Sequence, residues 1–155
     1  GRIAHDFAAA LVGMGACVGA VAAGSLPDSL GRAERFALEY GIPRAYGTYQ
    51  ELAEDANITV VYVASTLQLH YALAKLYLES GKGVLVEKPA TVGVAEFEAL
   101  VSLAREKGVL LATNYWTRFF PTYKWARETI DSGVLGNVVH VSGDFGFQVR
   151  RLDGM

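Results

Sequence analysis

The sequence predicts an α/β fold in which a parallel sheet is covered by helices. Short apolar segments rich in β-branched residues, such as T-V-V-Y-V-A at residues 59 to 64, alternate with longer segments of helical periodicity. Strands and helices that alternate at this spacing form parallel sheets through right-handed crossovers. A hydrophobic fraction of 52% and a charged fraction of 19% are typical of one sizeable folded core. We therefore expect a doubly wound sheet of the Rossmann type, followed by the start of a second, α+β domain.

The first predicted helix starts almost at the first residue. Residues 3 to 11 are apolar and rich in alanine, and no strand precedes them. Gly1 and Ala4 have the spacing of the second and third small residues of a G-x-G-x-x-G/A loop, whose backbone amides bind a pyrophosphate. We expect Gly1, Arg2 and Ile3 to contact a dinucleotide cofactor, and the first strand and first glycine of the fold to be missing. On its own, this spacing fits an irregular domain start at least as well.

The other elements of this domain follow from apolar runs, helix caps and glycines. Asp28 or Ser29 can cap a helix that Gly41 closes. Cys17 lies in an apolar run and has no disulfide partner, which fits either a reducing compartment or a small buried residue. The predicted strands are residues 17 to 23, 59 to 64, 83 to 87 and 109 to 113, and the predicted helices are residues 28 to 40, 49 to 56, 69 to 80 and 94 to 107.

The pattern changes after Asn114, and we place a domain boundary there. The aromatic run Y-W-T-R-F-F-P precedes an amphipathic helix that ends at Ser132. Residues 137 to 149 then alternate with the period of a half-exposed strand, which indicates a different sheet. Residues 1 to 114 are therefore expected to form a dinucleotide-binding domain, and residues 115 to 155 the start of a substrate and dimerisation domain.

The end of the first predicted strand bears on the choice of cofactor. An NAD-selective Rossmann fold usually carries an acid there to bind the ribose diol, but the chain has none between Asp6 and Asp28. The 2′-phosphate of NADP would fit, and NAD is the alternative. Ser25, with Arg32 or Arg35, could donate to that phosphate. An arginine on an exposed helix is otherwise an ordinary solvated charge.

Polar residues also follow the next two predicted strands, where parallel sheets bind ligands. Ser65, Thr66 and His70 could contact the ribose, the phosphates or the nicotinamide. Alternatively, the hydroxyls cap the next helix and His70 bonds to the backbone. We expect Glu87 and Lys88 to contact the cofactor, and Lys88, held by the carboxylate of Glu87, could direct its ammonium into the crevice and polarise or protonate a reacting oxygen. The alternative is a surface ion pair worth at most about 1 kcal/mol.

The aromatic run could line a substrate pocket. Trp116 and Phe119 are the candidates for its walls, and Arg118 could bind a phosphate or a carboxylate. An apolar core between two domains is the alternative.

Charge and hydropathy argue against two other classes of function. The chain has 14 Lys and Arg against 16 Asp and Glu and no basic run, so we expect no nucleic-acid partner. Glycines interrupt the longest apolar stretch, residues 8 to 23, so we expect neither a membrane span nor a signal peptide. We expect no metal site.

Several motifs together resemble the Gfo/Idh/MocA oxidoreductase family: G-R-I-A-H-D-F, V-A-A-G-S, A-Y-G-T-Y-Q-E-L, an H-x-x-x-A helix leading into G-K-G-V-L-V-E-K-P, and W-T-R-F-F-P. The chain is most similar to the dihydrodiol and D-xylose dehydrogenases of that family. The resemblance implies hydride transfer between NADP and a sugar or vicinal diol, with Lys88 beside the nicotinamide and Trp116 in the substrate pocket. We also expect a cytoplasmic protein that forms a homodimer when complete.

The chain departs from the family pattern in several places. The first strand and the segment with the tyrosine or histidine proton donor are missing, and the loop at residues 26 to 31 is longer. S-T-L-Q-L-H replaces the usual Thr-Pro step. We therefore expect residues 1 to 155 alone to be inactive and unable to remain monomeric or bind NADP well. A non-catalytic dinucleotide-binding sensor of the same fold is the alternative function, but the intact E-K-P favours an enzyme.

Overall fold

The computed structural model describes residues 1 to 24, 27 to 144 and 146. It contains two compact units, Gly1–Tyr115 and Trp116–Met155. In the first unit helices and strands alternate along the chain, as the sequence predicts. These elements are α1 (Arg2–Gly13), β1 (Val21–Ala22), α2 (Ser29–Tyr40), β2 (Ala45–Tyr46), α3 (Tyr49–Glu54), β3 (Val60–Val63), α4 (Leu67–Glu79), β4 (Gly83–Val86), α5 (Val94–Lys107) and β5 (Leu111–Thr113).

The strands pair in parallel, but they form two sheets instead of one. β1 pairs with β2, and β4 lies between β3 and β5. The register places Tyr62 opposite Leu85 and Val86 opposite Thr113. The ends of β3, β4 and β5 therefore meet at one edge. The Rossmann-type fold class is confirmed.

The core is centred on β4, in which Gly83, Val84 and Val86 are buried and Leu85 is half-buried. Val84 and Val86 are fully buried, as are Leu78 of α4 and Leu100 of α5. β-branched residues suit this position because they pack well on a pleated surface. A continuous apolar strand of this kind is typical of a parallel sheet with helices on both sides.

Glycines and one capping box define several helix ends. Gly41 after α2 and Gly108 after α5 adopt left-handed conformations, in which glycine has no steric penalty. Thr48 and Glu51 form a reciprocal capping box at the start of α3. These local signals explain why the helix ends were predictable.

Lys82 is buried, with only 4% of its surface exposed. Its ammonium donates to the carbonyl oxygens of Asp55 at 2.7 Å and Ile58 at 2.8 Å. These carbonyls follow α3, where an ammonium also meets the negative end of the helix dipole. Lys82 therefore ties the end of α3 to the start of β4.

The structure corrects two predicted strands and contains one strand that was not predicted. Cys17 is exposed, and the strand expected at residues 17 to 23 begins only at Val21. β2 was not predicted, because Ala45 and Tyr46 form too short a run to give a strand period. Residues 137 to 144 form no strand, since no neighbouring strand pairs with them in the part of the chain that the structure describes. The rest of that predicted strand, apart from residue 146, lies outside the described residues.

The second unit begins with a 3₁₀ helix, Trp116–Phe119, and continues with α6 (Pro121–Asp131). Proline at the first position of α6 suits a helix start because its missing N–H would have no helical partner there. The predicted amphipathic helix in this segment is thus present.

Candidate active and cofactor site

The predicted functional residues of the first unit follow the ends of β3 and β4. Ser65 and Thr66 follow β3, and Glu87 and Lys88 follow β4. Asn114 follows β5 and donates its backbone N–H to the carbonyl of Val86 at 2.8 Å. These ends share one edge of a parallel sheet, the position at which such sheets bind ligands.

Glu87 is a buried acceptor for groups from three neighbouring segments. Its carboxylate is 5% exposed. Oε1 accepts hydrogen bonds from the Tyr62 hydroxyl and the Asn114 side-chain amide, both at 2.6 Å, and Oε2 accepts from the Lys88 backbone N–H at 3.1 Å. Burial, and then the bond to Glu87, raises the pKa of Tyr62, so this phenol remains a donor. Glu87 therefore links the ends of β3, β4 and β5.

Lys88 is exposed, and its ammonium has no ion pair among the described residues. We predicted that the carboxylate of Glu87 holds this ammonium, and that prediction is wrong. Glu87 contacts the Lys88 backbone instead, because its carboxylate turns inward to the donors of Tyr62 and Asn114. The side chain of Lys88 is therefore available to a ligand.

His70 is a buried residue of α4, with 3% of its surface exposed. Nδ1 lies 2.8 Å from the carbonyl oxygen of Pro89, and Nε2 lies 3.2 Å from that of Ser65. A neutral imidazole has one N–H, so it can donate to only one of these oxygens at a time. This geometry favours the backbone-bonded alternative for His70 over a residue that faces the nicotinamide.

Ser65 and Thr66 do not cap α4 through their side chains. Thr66 is the N-cap residue, but its hydroxyl makes no capping bond. The Ser65 hydroxyl donates to the carbonyl of Thr66 at 3.3 Å. The capping alternative for these hydroxyls is therefore wrong, and a role in ligand binding stays a prediction.

The N-terminus of α1 has the features of an anion site. Gly1 is the N-cap residue, and the first turn contains neither a side-chain cap nor an acidic residue. The first amides of a helix have no helical acceptor and lie at the positive end of its dipole. A contact between a pyrophosphate and Gly1, Arg2 or Ile3 stays a prediction.

The two arginines predicted to bind a 2′-phosphate both lie on α2, and they differ in their ion pairing. Arg35 donates to the carboxylate of Asp28 at 3.0 Å, so both charges are paired. Arg32 is exposed and forms no ion pair in the described part of the chain. Arg32 would therefore meet a phosphate without giving up an ion pair, whereas Arg35 would have to leave Asp28. Ser25 lies outside the described residues.

Gly24 marks a close approach beside this position. A Cβ at Gly24 would lie 2.8 Å from the ring of Tyr49, closer than such atoms approach in folded proteins. The backbone after β1 therefore passes against an aromatic ring, where a larger residue would force a shift.

A cleft of about 1540 Å³ brings several of the predicted residues together. It lies in the first unit, between α1, α2, β1 and β3. The cofactor candidates in its wall are Gly1, Ile3, Arg32, Ser65 and Thr66. Arg2, His70, Glu87 and Lys88 are not part of the wall. The rest of the wall is mostly apolar and includes Val21, Val61 and Leu73, and Lys88 lies outside it.

Trp116, Arg118 and Phe119 lie in the second unit and are exposed. The Trp116 ring makes an edge contact with Phe120, with centroids 5.3 Å apart. Their role in a substrate pocket stays a prediction.

Sequence reasoning missed Tyr62 and Asn114. Tyr62 carries the one hydroxyl within β3, in an otherwise apolar V-V-Y-V segment, and Asn114 is the first residue after β5. The sequence does show a hydroxyl inside an apolar strand and an amide at a strand end. It does not show that both groups bind Glu87, because the spacing of residues does not specify such a contact.

No described helix has the length and apolarity needed to cross a bilayer. Within the same residues, no cluster of three or more His, Cys, Asp or Glu side chains could hold a metal ion.

Comparison with known proteins assigns a family to the first unit. Residues 1–115 match the pattern GFO_IDH_MocA, described as "Oxidoreductase family, NAD-binding Rossmann fold". A trans-1,2-dihydrobenzene-1,2-diol dehydrogenase of Mus musculus is 40% identical over 152 residues, which are 98% of this chain and 45% of that protein. The chain thus spans about half the length of the curated relatives that it matches.

Two solved structures share the fold. An NAD binding oxidoreductase from Klebsiella pneumoniae is 30% identical, with a TM-score of 0.67 over 74% of this chain and 30% of that chain. A 3-ketoreductase from Actinomadura kijaniata, in complex with TDP-benzene and NADP, is 33% identical, with a TM-score of 0.65 over 76% of this chain and 35% of that chain.

Proposed function

The chain belongs to the Gfo/Idh/MocA oxidoreductase family, and on that premise we propose that the complete protein is an NADP-dependent dehydrogenase acting on a vicinal diol or a sugar. One structural observation carries the proposal: Lys88 is exposed and unpaired within the described residues, yet its backbone is anchored at the end of β4. The curated relatives, which are named as dehydrogenases, also favour an enzyme over a sensor.

Different residues of this chain would bind different parts of the cofactor. The amides of Gly1, Arg2 and Ile3 would bind the pyrophosphate, and Ser65 and Thr66 would contact the ribose. The nicotinamide supplies or accepts the hydride when the cofactor is bound. These contacts fix the cofactor, so that the reacting carbon and the substrate are held together.

Lys88 would act on the substrate oxygen. An ammonium can donate a hydrogen bond to a carbonyl or alkoxide oxygen and stabilise the negative charge that develops there. Substrate contacts by Trp116, Arg118 and Phe119 remain a proposal that rests on the sequence alone. A sugar and a vicinal diol share adjacent hydroxyl groups, so this arrangement serves either substrate class.

NADP is the preferred cofactor in this proposal. No acidic residue lies between the end of β1 and Asp28, which is paired with Arg35, whereas the exposed Arg32 has no ion pair among the described residues and would be free to meet a 2′-phosphate. We further propose that the complete protein is a homodimer in the cytoplasm. The exposed, unpaired thiol of Cys17 suits a reducing compartment.

Replacing Lys88 by alanine tests the proposed function. With NADP and trans-1,2-dihydrobenzene-1,2-diol or D-xylose, turnover by the complete protein should fall by roughly 10² or more, whereas the Kd of NADP should change by no more than about threefold. Lys75→Ala is the matched control, because Lys75 forms only an exposed pair with Glu79 on α4. Unchanged turnover in Lys88→Ala would contradict the role of Lys88 and return this residue to an ordinary surface charge.

A further inference from the structure

Three donors converge on the carboxylate of Glu87, and all three are neutral groups. They are the Tyr62 hydroxyl, the Asn114 amide and the Lys88 backbone N–H. No lysine, arginine or histidine nitrogen forms an ion pair with Glu87 in the part of the chain that the structure describes. A buried carboxylate is stabilised only through such bonds, and bonds to a charged acceptor are stronger than those between neutral groups. The donors are therefore held firmly in place.

Tyr62 is itself fixed from a second side. Its ring lies against Phe7 of α1, with centroids 4.0 Å apart. Its hydroxyl donates to Glu87 at 2.6 Å while the ring keeps this contact. The position of the carboxylate thus depends on packing between α1 and β3 as well as on hydrogen bonds.

The backbone around Lys88 is anchored on both sides. Glu87 accepts the N–H of Lys88, and His70 approaches the carbonyl oxygen of the next residue, Pro89, at 2.8 Å. Both anchoring side chains are buried, whereas Lys88 is exposed. The Lys88 side chain therefore extends from a backbone segment that buried side chains hold in place, and its ammonium takes no part in these bonds.

We propose that Glu87 is a positioning residue for Lys88, and that it contacts neither the cofactor nor the substrate. This inference rests on the proposed function, since it assigns a partner to the lysine named there. The carboxylate sets the direction in which the Lys88 side chain leaves β4. An ammonium at the end of a four-carbon side chain is sensitive to that direction, and small displacements of a reacting group cost up to about 10² in rate.

Glu87→Gln is the first test. Glutamine keeps the shape of the side chain and can still accept from Tyr62, but its amide N–H₂ would face the Lys88 N–H, a donor against a donor. In the complete protein we expect kcat to fall about 10- to 100-fold, with KM for the diol and the Kd of NADP within about threefold. Hydrogen exchange of the Lys88 amide should become faster. A loss of NADP affinity that matches the loss of turnover would overturn the proposal, because it would make Glu87 a cofactor ligand.

A double-mutant cycle with Lys88→Ala separates this proposal from the proposed function. If Glu87 acts through Lys88, then Glu87→Gln should lower kcat by less than about twofold in the Lys88→Ala background. Independent, multiplicative losses would overturn the positioning role while leaving Lys88 as a catalytic residue. A normal kcat in Lys88→Ala alone would instead contradict the proposed function.

A double variant in which Glu87 and Asn114 exchange their functional groups should recover part of the lost kcat. In Glu87→Gln with Asn114→Asp the amide and the carboxylate change places, so their hydrogen bond can form with reversed polarity. We expect this variant to recover at least about threefold in kcat over Glu87→Gln, since its geometry is partly restored.

If Glu87→Gln does not fold, Tyr62→Phe removes one donor and keeps the ring against Phe7, and it should lower kcat while sparing the Kd of NADP. A Tyr62→Phe variant with unchanged kcat and unchanged Lys88 exchange would then refute the proposal.

Discussion

Arg32→Ala should selectively weaken the binding of NADP. Arg32 and Arg35 both line the cleft, but Arg35 is already paired with Asp28 at 3.0 Å. Arg32 has no ion pair among the described residues, so it is the arginine that can meet the 2′-phosphate. NAD lacks this phosphate and should be indifferent to the change.

The size of the effect follows from the exposure of Arg32. A hydrogen bond between two charged groups contributes about 1.5 to 3 kcal/mol, but Arg32 is solvent-exposed, which favours the lower end. A loss of about 1.4 kcal/mol corresponds to a tenfold higher Kd. We therefore expect the Kd of NADP to rise about tenfold and the Kd of NAD to stay within about twofold.

Calorimetric titration of the complete protein with both cofactors measures this difference. Wild-type protein should bind NADP at least about tenfold more tightly than NAD, and Arg32→Ala should remove most of that preference. Arg35→Ala is the matched control and should leave the ratio of the two affinities unchanged. Equal wild-type affinities for NADP and NAD, or equal losses for both cofactors in Arg32→Ala, would refute the reasoning.

Two further predictions concern stability and are measured by urea unfolding of the complete protein. Leu78→Ala removes a fully buried side chain and should cost about 3 kcal/mol, whereas Leu38→Ala on α2, 85% exposed, should change stability by less than about 0.5 kcal/mol. Similar values for the two variants would contradict the assigned core. Hydrogen bonds, first that from the Asn57 backbone N–H, hold the pKa of Asp55 below its ordinary value of 3.8. The resulting stabilisation is present above that value and is lost as the pH falls through the lower folded pKa, so Asp55→Asn should be destabilising at neutral pH by an amount that shrinks below about pH 4. A difference that does not vary with pH would argue against it.

Much of the first unit was predictable because its signals are local. The helix predicted at residues 94 to 107 has those bounds in the structure, since Gly108 closes it in a left-handed conformation. The strand at the E-K-P motif was predictable from a run of apolar, mostly β-branched residues. β2 was not predictable, because its two residues owe their conformation to pairing with β1.

The candidate site was predictable as a list of positions, but its internal contacts were not. Glu87 and Lys88 are neighbours of opposite charge, and sequence reasoning paired them directly. The observed partners of the carboxylate, Tyr62 and Asn114, are 25 and 27 residues away along the chain. Their approach to Glu87 depends on the register of three strands, which no spacing in the sequence specifies.

Two lysines six positions apart should differ in their chemistry toward electrophiles. The ammonium of Lys82 is enclosed and bound to two carbonyl oxygens, while that of Lys88 is open to solvent. An amine-acylating reagent would therefore label Lys88 in the folded protein and reach Lys82 only after α3 and β4 separate. Within one proteolytic peptide, the first label would report access to the Lys88 ammonium, and the second would report loss of the core.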